Sequence, residues 1–336
     1  MIYRTVLRST FVFIVMLFLS ATAHAQLFRA YLAPGGNDAN PCTLPAPCRL
    51  LPAALTAVAD GGEIWMLDSG NYNTGPVNIT KSVTILAVPG ALGSVLAAGG
   101  NAINIATAGV KVALRNLVIG PLPGGVGGEG IYMTNGASLT VENCLIANLP
   151  YSGIVVFTAA SVRITDTTIR DNGGYGLVLD GGGARATVTR TTISGSSNFY
   201  GIRVYGFTLN TTTTVDIADS TIDGNSVGVL AQSDYATAVL KVSVRDSRVV
   251  RNINEGVSAI GGGPVTFSVS NSLISNNGIG IQAYLAGSKV WASGNTVSAN
   301  GTGLLNSYSL FESAGNNAVR NNGVDTSGII TVIPTK

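Results

Sequence analysis

Short apolar segments recur from residue 130 to the end of the chain in a phrase that is repeated about eight times. Each copy opens with a glycine, continues as an alternating apolar segment and a second segment of the form Val-x-Ile, and ends near an asparagine. Two clear copies begin at Gly153 and Gly256. Because apolar side chains return at every second residue, the pattern predicts β-strands and not helices.

The spacing of these copies indicates a solenoid. Successive opening glycines lie 23 to 28 residues apart, at Gly130, Gly153, Gly176, Gly201, Gly228, Gly256, Gly280 and Gly303. This interval is too short for a strand–helix–strand unit. Because one copy cannot bury its apolar face alone, the copies must stack on one another. Stacked strands lie about 4.8 Å apart, so we expect about ten three-stranded coils in a rod about 50 Å long.

Polar residues recur at two positions of the repeat and predict two ladders at the turns between strands. The first ladder is expected to contain Asn116, Asn143, Asp166, Arg190, Asp219, Asp246 and Asn271. The second is expected to contain Asn148, Asn172, Ser196, Asn225, Asn252, Asn277, Asn300 and Asn322. Asn and Asp tolerate left-handed turns, and stacked amides can hydrogen-bond along the axis. Most carboxylates of the repeat are therefore expected to be structural.

Residues 1–25 have the pattern of an export signal. Arg4 and Arg8 precede an apolar run, and Ala23-His24-Ala25 fits a cleavage site. The run is too short to span a membrane, and no later segment is both long and free of polar residues. We therefore expect a bacterial protein that is secreted or periplasmic and has no membrane span.

Residues 26–62 are Pro-rich and are expected to form an N-terminal cap on a β-helix domain that occupies 63–336. Apolar residues at helical spacing over 51–58, with Pro52 in the first turn, predict a short helix that ends at Gly61-Gly62. Such a helix would cover the open first edge of the stacked strands.

The three cysteines have different expected states. Cys42 and Cys48 flank a Pro-rich loop and are expected to form a disulfide in an oxidising compartment. A metal site is the alternative, and the composition disfavours it because the one histidine, His24, lies in the export signal. Cys144 is expected to be a half-buried thiol within the repeat.

Charge narrows the class of partner. The chain has 19 basic and 17 acidic residues, and only 11% of its residues are charged, which argues against nucleic acid. No cofactor is predicted, and a Ca²⁺ site is not supported because no acidic residues cluster on neighbouring coils. The sequence leaves the oligomeric state open.

The alternating strands, the Asn columns and the opening segment Tyr31–Asp38 carry a family resemblance. The chain resembles right-handed parallel β-helix proteins, the pectin lyase-like superfold, over nearly all of its length after residue 25. The resemblance implies an all-β solenoid. The family includes pectate lyases, polygalacturonases, alginate lyases and epimerases, phage tailspikes and surface proteins without catalysis. The polygalacturonase and alginate epimerase motifs are absent here, so activity has to be argued from a site.

The resemblance also implies that the strand after each glycine lines the binding face. Asp180 and Arg203 are the charged residues of its two outward columns, and they fall on adjacent coils. Two adjacent units are longer than the others, which predicts projecting loops at 206–214 and 233–239 beside this face. The candidate catalytic residues are Asp180, Arg203 and Tyr205, and the candidate substrate-binding residues are Tyr132, Phe157, Asp234, Tyr235 and Tyr284.

Two functions remain open. The first is a secreted protein that binds an extracellular polysaccharide through aromatic stacking and also cleaves or modifies it, as a lyase or hydrolase of a uronate-containing chain with Arg203 or Tyr205 as base. The alternative is a non-catalytic envelope or surface protein with a structural or adhesive role. In that case Asp180 and Arg203 form a surface ion pair of little consequence, and the exposed aromatic residues simply favour strands.

Overall fold

A computed structural model describes residues 26–333, which form three parallel sheets of 13, 11 and 11 strands and one short helix. Strands that are neighbours in a sheet belong to successive turns, so the chain winds as a β-solenoid of about eleven turns. The right-handed parallel β-helix predicted from the repeat is confirmed. The predicted export signal at 1–25 lies outside the described residues.

The strands are numbered β1 to β35 in chain order and divide among three sheets. Sheet 1 contains β1 Leu27–Leu32, β2 Val58–Met66, β5 Val83–Ala87, β8 Lys111–Arg115, β11 Ser138–Glu142, β14 Ser161–Thr165, β17 Arg185–Thr189, β20 Thr211–Ala218, β23 Ala238–Arg245, β26 Val265–Ser270, β29 Ser288–Ser293, β32 Leu310–Ser313 and β35 Thr331–Val332. Sheet 2 contains β4 Val77–Ile79, β7 Ile103–Ile105, β10 Ile131–Met133, β13 Ile154–Val156, β16 Leu177–Leu179, β19 Tyr200–Gly206, β22 Val227–Ser233, β25 Glu255–Gly261, β28 Ile279–Tyr284, β31 Thr302–Ser307 and β34 Val324–Ser327. Sheet 3 contains β3 Gly70–Asn71, β6 Gly93–Ala97, β9 Leu117–Pro121, β12 Leu145–Ala147, β15 Thr168–Arg170, β18 Thr192–Ser194, β21 Thr221–Asp223, β24 Arg248–Val250, β27 Leu273–Ser275, β30 Thr296–Ser298 and β33 Ala318–Val319.

The core is a stack of aliphatic side chains from all three sheets. Leu177, Ile202 and Val229 are in register across β16, β19 and β22, and all three are fully buried. Burying each such side chain contributes about 1.5–3 kcal/mol. The period-two pattern of the sequence thus determines which residues face inward and which remain available on the outer faces of the sheets.

The first polar ladder forms as predicted. Its seven members, from Asn116 to Asn271, all adopt the left-handed conformation, with φ between 48° and 55°. They occupy the first position of the one- or two-residue corner between sheets 1 and 3. Arg190 sits in this column and forms a two-pronged ion pair with Asp166 on the preceding turn, with hydrogen bonds of 2.7 and 2.8 Å.

The second ladder is a buried column of amides, and one of its predicted members is wrong. Asn225 donates to Asn252 at 3.1 Å, and Asn252 donates to Asn277 at 2.9 Å, in side-chain hydrogen bonds along the axis. Asn148, however, is exposed and adopts a left-handed φ of 61°. Leu149 takes its place, because its N–H donates to the Asn172 side chain at 3.1 Å.

The N-terminal end contains the predicted helix but ends it differently. Helix α1, Leu51–Ala57, buries Leu51, Ala54 and Leu55 and packs against β1, β2 and β4. The chain becomes extended at Val58, and Gly61-Gly62 lie inside β2 and do not end the helix as predicted. β1 pairs in parallel with β2, so the Pro-rich segment supplies the first strand of sheet 1 as well as the helix.

The cysteines are paired as the sequence predicts. Cys42 and Cys48 form a disulfide with a Cα–Cα distance of 4.6 Å. Cys144 is a free thiol and is fully buried, not half-buried as expected. Within residues 26–333, no helix has the length and apolar character needed to cross a bilayer.

Candidate functional site

The candidate site lies on the outer face of sheet 2, where the predicted outward columns are in register. Tyr132, Val155, Val178, Arg203 and Leu230 are consecutive partners across β10, β13, β16, β19 and β22. Val155, Val178 and Leu230 are at most 4% exposed, although alternation directs them away from the core. The face is therefore lined by covered aliphatic side chains, with Arg203 and aromatic residues left accessible.

Asp180 and Arg203 form an ion pair at the centre of this face. Asp180 follows the last residue of β16, Arg203 is in the middle of β19, and their Oδ2 and Nη1 atoms lie 3.2 Å apart. The side chain of Asp180 is 7% exposed and that of Arg203 is 23% exposed. The pair is thus mostly buried and not the surface pair of the structural interpretation, and for such a pair the cost of desolvation can exceed the Coulombic gain.

The Asp180 carboxylate is incompletely satisfied. Its Oδ1 atom is buried and has no hydrogen-bond partner among the described residues. Burial raises the pKa of Asp180 to about 6, and the nearby Arg203 charge opposes this rise only in part. A buried, poorly satisfied carboxyl with a pKa near neutrality is typical of functional sites, because structure alone gives no reason to keep it.

The Arg203 guanidinium lies between two tyrosine rings. Its Cζ atom is 4.6 Å from the ring centroid of Tyr205 and 5.5 Å from that of Tyr175. Cation–π contacts of this kind hold the guanidinium in one orientation and leave its remaining N–H donors in the plane between the rings. Arg203 is therefore a fixed hydrogen-bond donor at the floor of the face.

Tyr205 is tied to the next coil. Its hydroxyl donates a hydrogen bond to Asp234, which also accepts from Gln232 at 3.0 Å. This hydrogen bond raises the pKa of Tyr205, because it stabilises the protonated phenol beside a carboxylate. A general base needs a pKa near the working pH, so this raised pKa disfavours Tyr205 as a base.

Aromatic pairs extend the face on the side of the earlier coils. Tyr132 and Phe157, both expected to bind substrate, meet edge to face with centroids 5.7 Å apart. Tyr175 contacts Phe199 at 5.1 Å and Tyr200 at 5.5 Å. The sequence reasoning missed Tyr175 and Tyr200, yet both immediately precede an opening glycine of the repeat, and that position could have identified them.

The other predicted residues are more scattered. Phe157 and Tyr235 are 41% and 47% exposed, and Tyr235 lies in the turn after β22 beside Asp234. Tyr284 is in register with Tyr205 but three strands away, roughly 14 Å along the axis. The structure thus brings together Asp180, Arg203, Tyr205 and Asp234. Tyr132 contacts Phe157 and lies three strands from Arg203 on the side of the earlier coils, and Tyr284 lies as far from Tyr205 on the opposite side.

The predicted long loops are mostly strand. The additional residues of the two longer units extend β19 and β20, and then β22 and β23, which pair along their full lengths. Only 207–210 and 234–237 remain as turns between them. The extra length therefore builds a rigid wall at one edge of the face, and Tyr205 and Gln232 lie within it. Phe207 stacks on Tyr205 with centroids 5.9 Å apart.

The charge of this face is more acidic than basic. Arg203 is paired with Asp180, Asp234 accepts from Tyr205, and Glu255 lies farther along in β25, where burial raises its pKa. Within residues 26–333, no group of three or more His, Cys, Asp or Glu side chains is arranged to hold a metal ion. The arrangement can stack flat apolar rings and donate or accept hydrogen bonds between them, which is the chemistry of sugar recognition.

Comparison with known proteins agrees with this fold. The model of the right handed beta helix region matches residues 93–212. The chain is similar to the A-module of the mannuronan C-5 epimerase AlgE4 of Azotobacter vinelandii, at 14% identity over 82% of this chain and 90% of that one, with a TM-score of 0.53. No curated protein sequence matches the chain.

Two further solved structures share the fold. The alginate lyase from Paenibacillus sp. str. FPU-7 is 14% identical over 91% of this chain and 100% of that one, with a TM-score of 0.52. XylC, solved with xylose, is 10% identical over 84% of this chain and 69% of that one, with a TM-score of 0.56. At these identities the likeness establishes the fold alone.

Proposed function

We propose that this right-handed parallel β-helix protein binds a polysaccharide across the outer face of sheet 2. The observation that carries the proposal is the buried Asp180–Arg203 pair, held among partly exposed aromatic rings on a rigid sheet. Structure gains nothing from a buried carboxylate with an unpaired oxygen. A ligand would reach the pair through Arg203, which is its more exposed member.

Three features indicate how the ligand is held. Sugar rings stack on Tyr132, Phe157 and Tyr175, which present aromatic area at low entropic cost. Hydroxyl groups of the sugar form hydrogen bonds with Asp180 and with the free N–H groups of Arg203. Because carboxylates outnumber guanidinium groups on this face and Arg203 already has a carboxylate partner, an uncharged glycan fits better than the uronate chain considered from the sequence.

The structural neighbours support a carbohydrate ligand in general terms. They include an alginate lyase, a mannuronan C-5 epimerase and a protein solved with xylose. The export signal expected at 1–25 supports an extracellular or periplasmic location, and with it an extracellular polysaccharide. Together with the site, these points make glycan binding the function that we propose.

Catalysis is a second candidate function, and one observation favours it. The pKa of Asp180 is raised to about 6, which suits a general base or acid near neutral pH. Tyr205 and Arg203 are engaged with Asp234 and Asp180, so Asp180 is the residue to which we assign any proton transfer. An assay for new reducing or unsaturated ends on the bound glycan tests it, with Asp180→Asn as the inactive control.

Binding is tested with a panel of neutral and acidic glycans, followed by calorimetry on the tightest. Replacing Arg203→Ala removes the central donor, and we expect about tenfold weaker binding, which is the loss of one charged hydrogen bond. Tyr308→Ala is the matched control, because Tyr308 is 88% exposed and lies outside this face, between β31 and β32. Equal affinity of folded Arg203→Ala and the parent protein would contradict the proposal.

A further inference from the structure

The outer face of sheet 1 carries a straight column of basic and hydroxyl side chains. Strand register aligns Lys111, Ser138, Ser161, Arg185, Thr214, Lys241, Thr266 and Lys289 from β8 to β29. We call these eight residues the basic column. Four are cationic, four carry a hydroxyl group, and none is acidic. We infer that the basic column binds a linear anionic glycan that lies along the solenoid axis, independently of the face on sheet 2.

The spacing of the charges suits a linear polymer. Arg185, Lys241 and Lys289 are separated by two strands each, which places their Cα atoms about 10 Å apart along the axis. This interval is close to the length of a disaccharide unit. Thr214 and Thr266 lie between the cations and offer hydroxyl groups to the uncharged sugar of each pair. A glycan with one anionic group on every second sugar therefore matches the basic column from Arg185 to Lys289, whereas Lys111 lies three strands from Arg185.

The cations of the column are available for a ligand. Within residues 26–333, no carboxylate forms an ion pair with Lys111, Arg185 or Lys241. Lys289 has only a distant contact, 4.0 Å from Glu312. All four are exposed. An exposed cation that has no ion-pair partner can bind an anion without first losing an internal contact.

The surroundings of the column strengthen its positive charge. Arg115, Arg163 and Arg245 occupy neighbouring outward positions of the same sheet. The acidic residues of these strands are Glu142, Asp216 and Glu312. Glu142 is paired with Arg115, Asp216 accepts a hydrogen bond from Ser243, and Glu312 has only the distant contact with Lys289. Of the three neighbouring arginines, Arg115 and Arg245 have carboxylate partners, Glu142 and Asp246. Strands β8 to β32 of sheet 1 therefore contain seven basic residues and three acidic ones, in a chain whose charges nearly balance.

The same surface does not suit a bilayer. A protein that docks on a membrane usually inserts apolar or aromatic side chains beside its basic residues. None of the exposed large apolar side chains of residues 26–333 lies on sheet 1 between β8 and β29. The cations also form a line and not a patch, and a linear polymer that follows this line can contact all of them at once.

Two charge variants with the same net charge test the inference. Arg185→Gln/Lys241→Gln/Lys289→Gln removes three cations from the column, and Arg170→Gln/Arg248→Gln/Arg320→Gln removes three from sheet 3 or its edge. The probe is immobilised hyaluronan, which carries one carboxylate on every second sugar, with carboxyl-reduced hyaluronan as its uncharged match. Phosphatidylglycerol vesicles form a separate arm. Circular dichroism first confirms that both variants are folded.

We expect the parent protein to bind hyaluronan, to release it as the salt concentration rises, and not to bind the carboxyl-reduced form. The column variant should bind about tenfold more weakly, and the sheet 3 variant as tightly as the parent. The inference is wrong if both variants lose affinity for hyaluronan equally, or if the parent protein binds the carboxyl-reduced polymer as tightly. It is also wrong if the parent protein binds no hyaluronan or binds only the vesicles.

Discussion

The Asp180 carboxylate and the Arg203 guanidinium lie 3.2 Å apart, yet only one of the two carboxylate oxygens has a partner. The second oxygen, Oδ1, is buried without a hydrogen-bond partner in the described part of the chain. This asymmetry explains why the pKa of Asp180 rises to about 6 despite an adjacent cation, since burial outweighs the Coulombic attraction. It also distinguishes this pair from the exposed Asp166–Arg190 pair of the turn ladder.

Asp180 should make stability depend on pH in an unusual direction. The pKa of Asp180 is about 6 in the native protein and lower in the unfolded chain. Its contribution to the free energy of unfolding is therefore complete below about pH 4 and is lost as the pH rises through about 6. Asp180→Asn keeps the shape without the charge. We expect it to match the parent near pH 4 and to exceed it at pH 7 by up to about 3 kcal/mol. Urea unfolding at both pH values measures this.

The control for this experiment is Asp166→Asn. The hydrogen bond from Arg190 lowers the pKa of the exposed Asp166 carboxyl, so its stabilising contribution is present at neutral pH and is lost as the pH falls through the native pKa. This variant should lose, not gain, stability at pH 7. If Asp180→Asn proved less stable than the parent at pH 7, the assignment of Asp180 as a costly buried carboxylate would be wrong.

The opening glycines of the repeat should be intolerant of any side chain. A Cβ atom on Gly176 would lie 2.5 Å from Cγ2 of Ile193 and 2.6 Å from the Gly201 carbonyl oxygen on the next coil. We expect Gly176→Ala to lower the free energy of unfolding by about 1–3 kcal/mol. Gly75→Ala is the matched control, because nothing lies within 4 Å of its Cβ position. Thermal melts of both variants compare them, and equal melting temperatures would contradict the packing described.

The buried amide ladder should be sensitive to the loss of a single member. Asn252 is 1% exposed, accepts from Asn225 at 3.1 Å and donates to Asn277 at 2.9 Å. Asn252→Ala leaves the buried backbone N–H of Asn225 without its acceptor, at a cost of about 1–3 kcal/mol for such an unsatisfied group. The exposed Asn254 provides the control through Asn254→Ala. Denaturant midpoints measure both variants, and a similar small change in each would rule out the ladder as a stabilising element.

The Cys144 thiol should be inert in the native protein. Burial raises its pKa to about 11, and the side chain is 4% exposed, so thiolate and access are both lacking. We expect a thiol reagent to label the non-reduced protein at one site, and only after guanidinium is added. Rapid labelling without denaturant would show that the repeat opens near β12 or that Cys42 and Cys48 are not paired.

The fold could be predicted from the sequence wherever the structural constraint repeats from coil to coil. The alternation of apolar residues and the glycine spacing determine the strands, the register and the coil, because every inward position must be filled and every turn must close. The same reasoning found Asp180 and Arg203 on adjacent coils. It could not show that Asp180 is buried, because that depends on side chains that cover the face from other coils.

The sequence-based prediction was wrong where a single residue changes the strand pairing or the hydrogen bonds of its neighbours. Asn148 and Leu149 exchange roles in the ladder because a left-handed residue at 148 shifts the turn by one position. Gly61-Gly62 lie in a strand because pairing of β2 with β1 and β5 outweighs their tendency to end helices. The long units became strands for the same reason, since 206 and 211–213 have partners on the next coil.

A crystal structure of the protein soaked with a short oligomer of its tightest neutral glycan tests the central claim most directly. The account places the sugar rings over sheet 2, stacked on Tyr175 or the Tyr132–Phe157 pair, with a hydroxyl within hydrogen-bond distance of the Arg203 guanidinium. A glycan bound on sheet 1, on sheet 3 or at either end of the solenoid, with the Asp180–Arg203 face left bare, would contradict it.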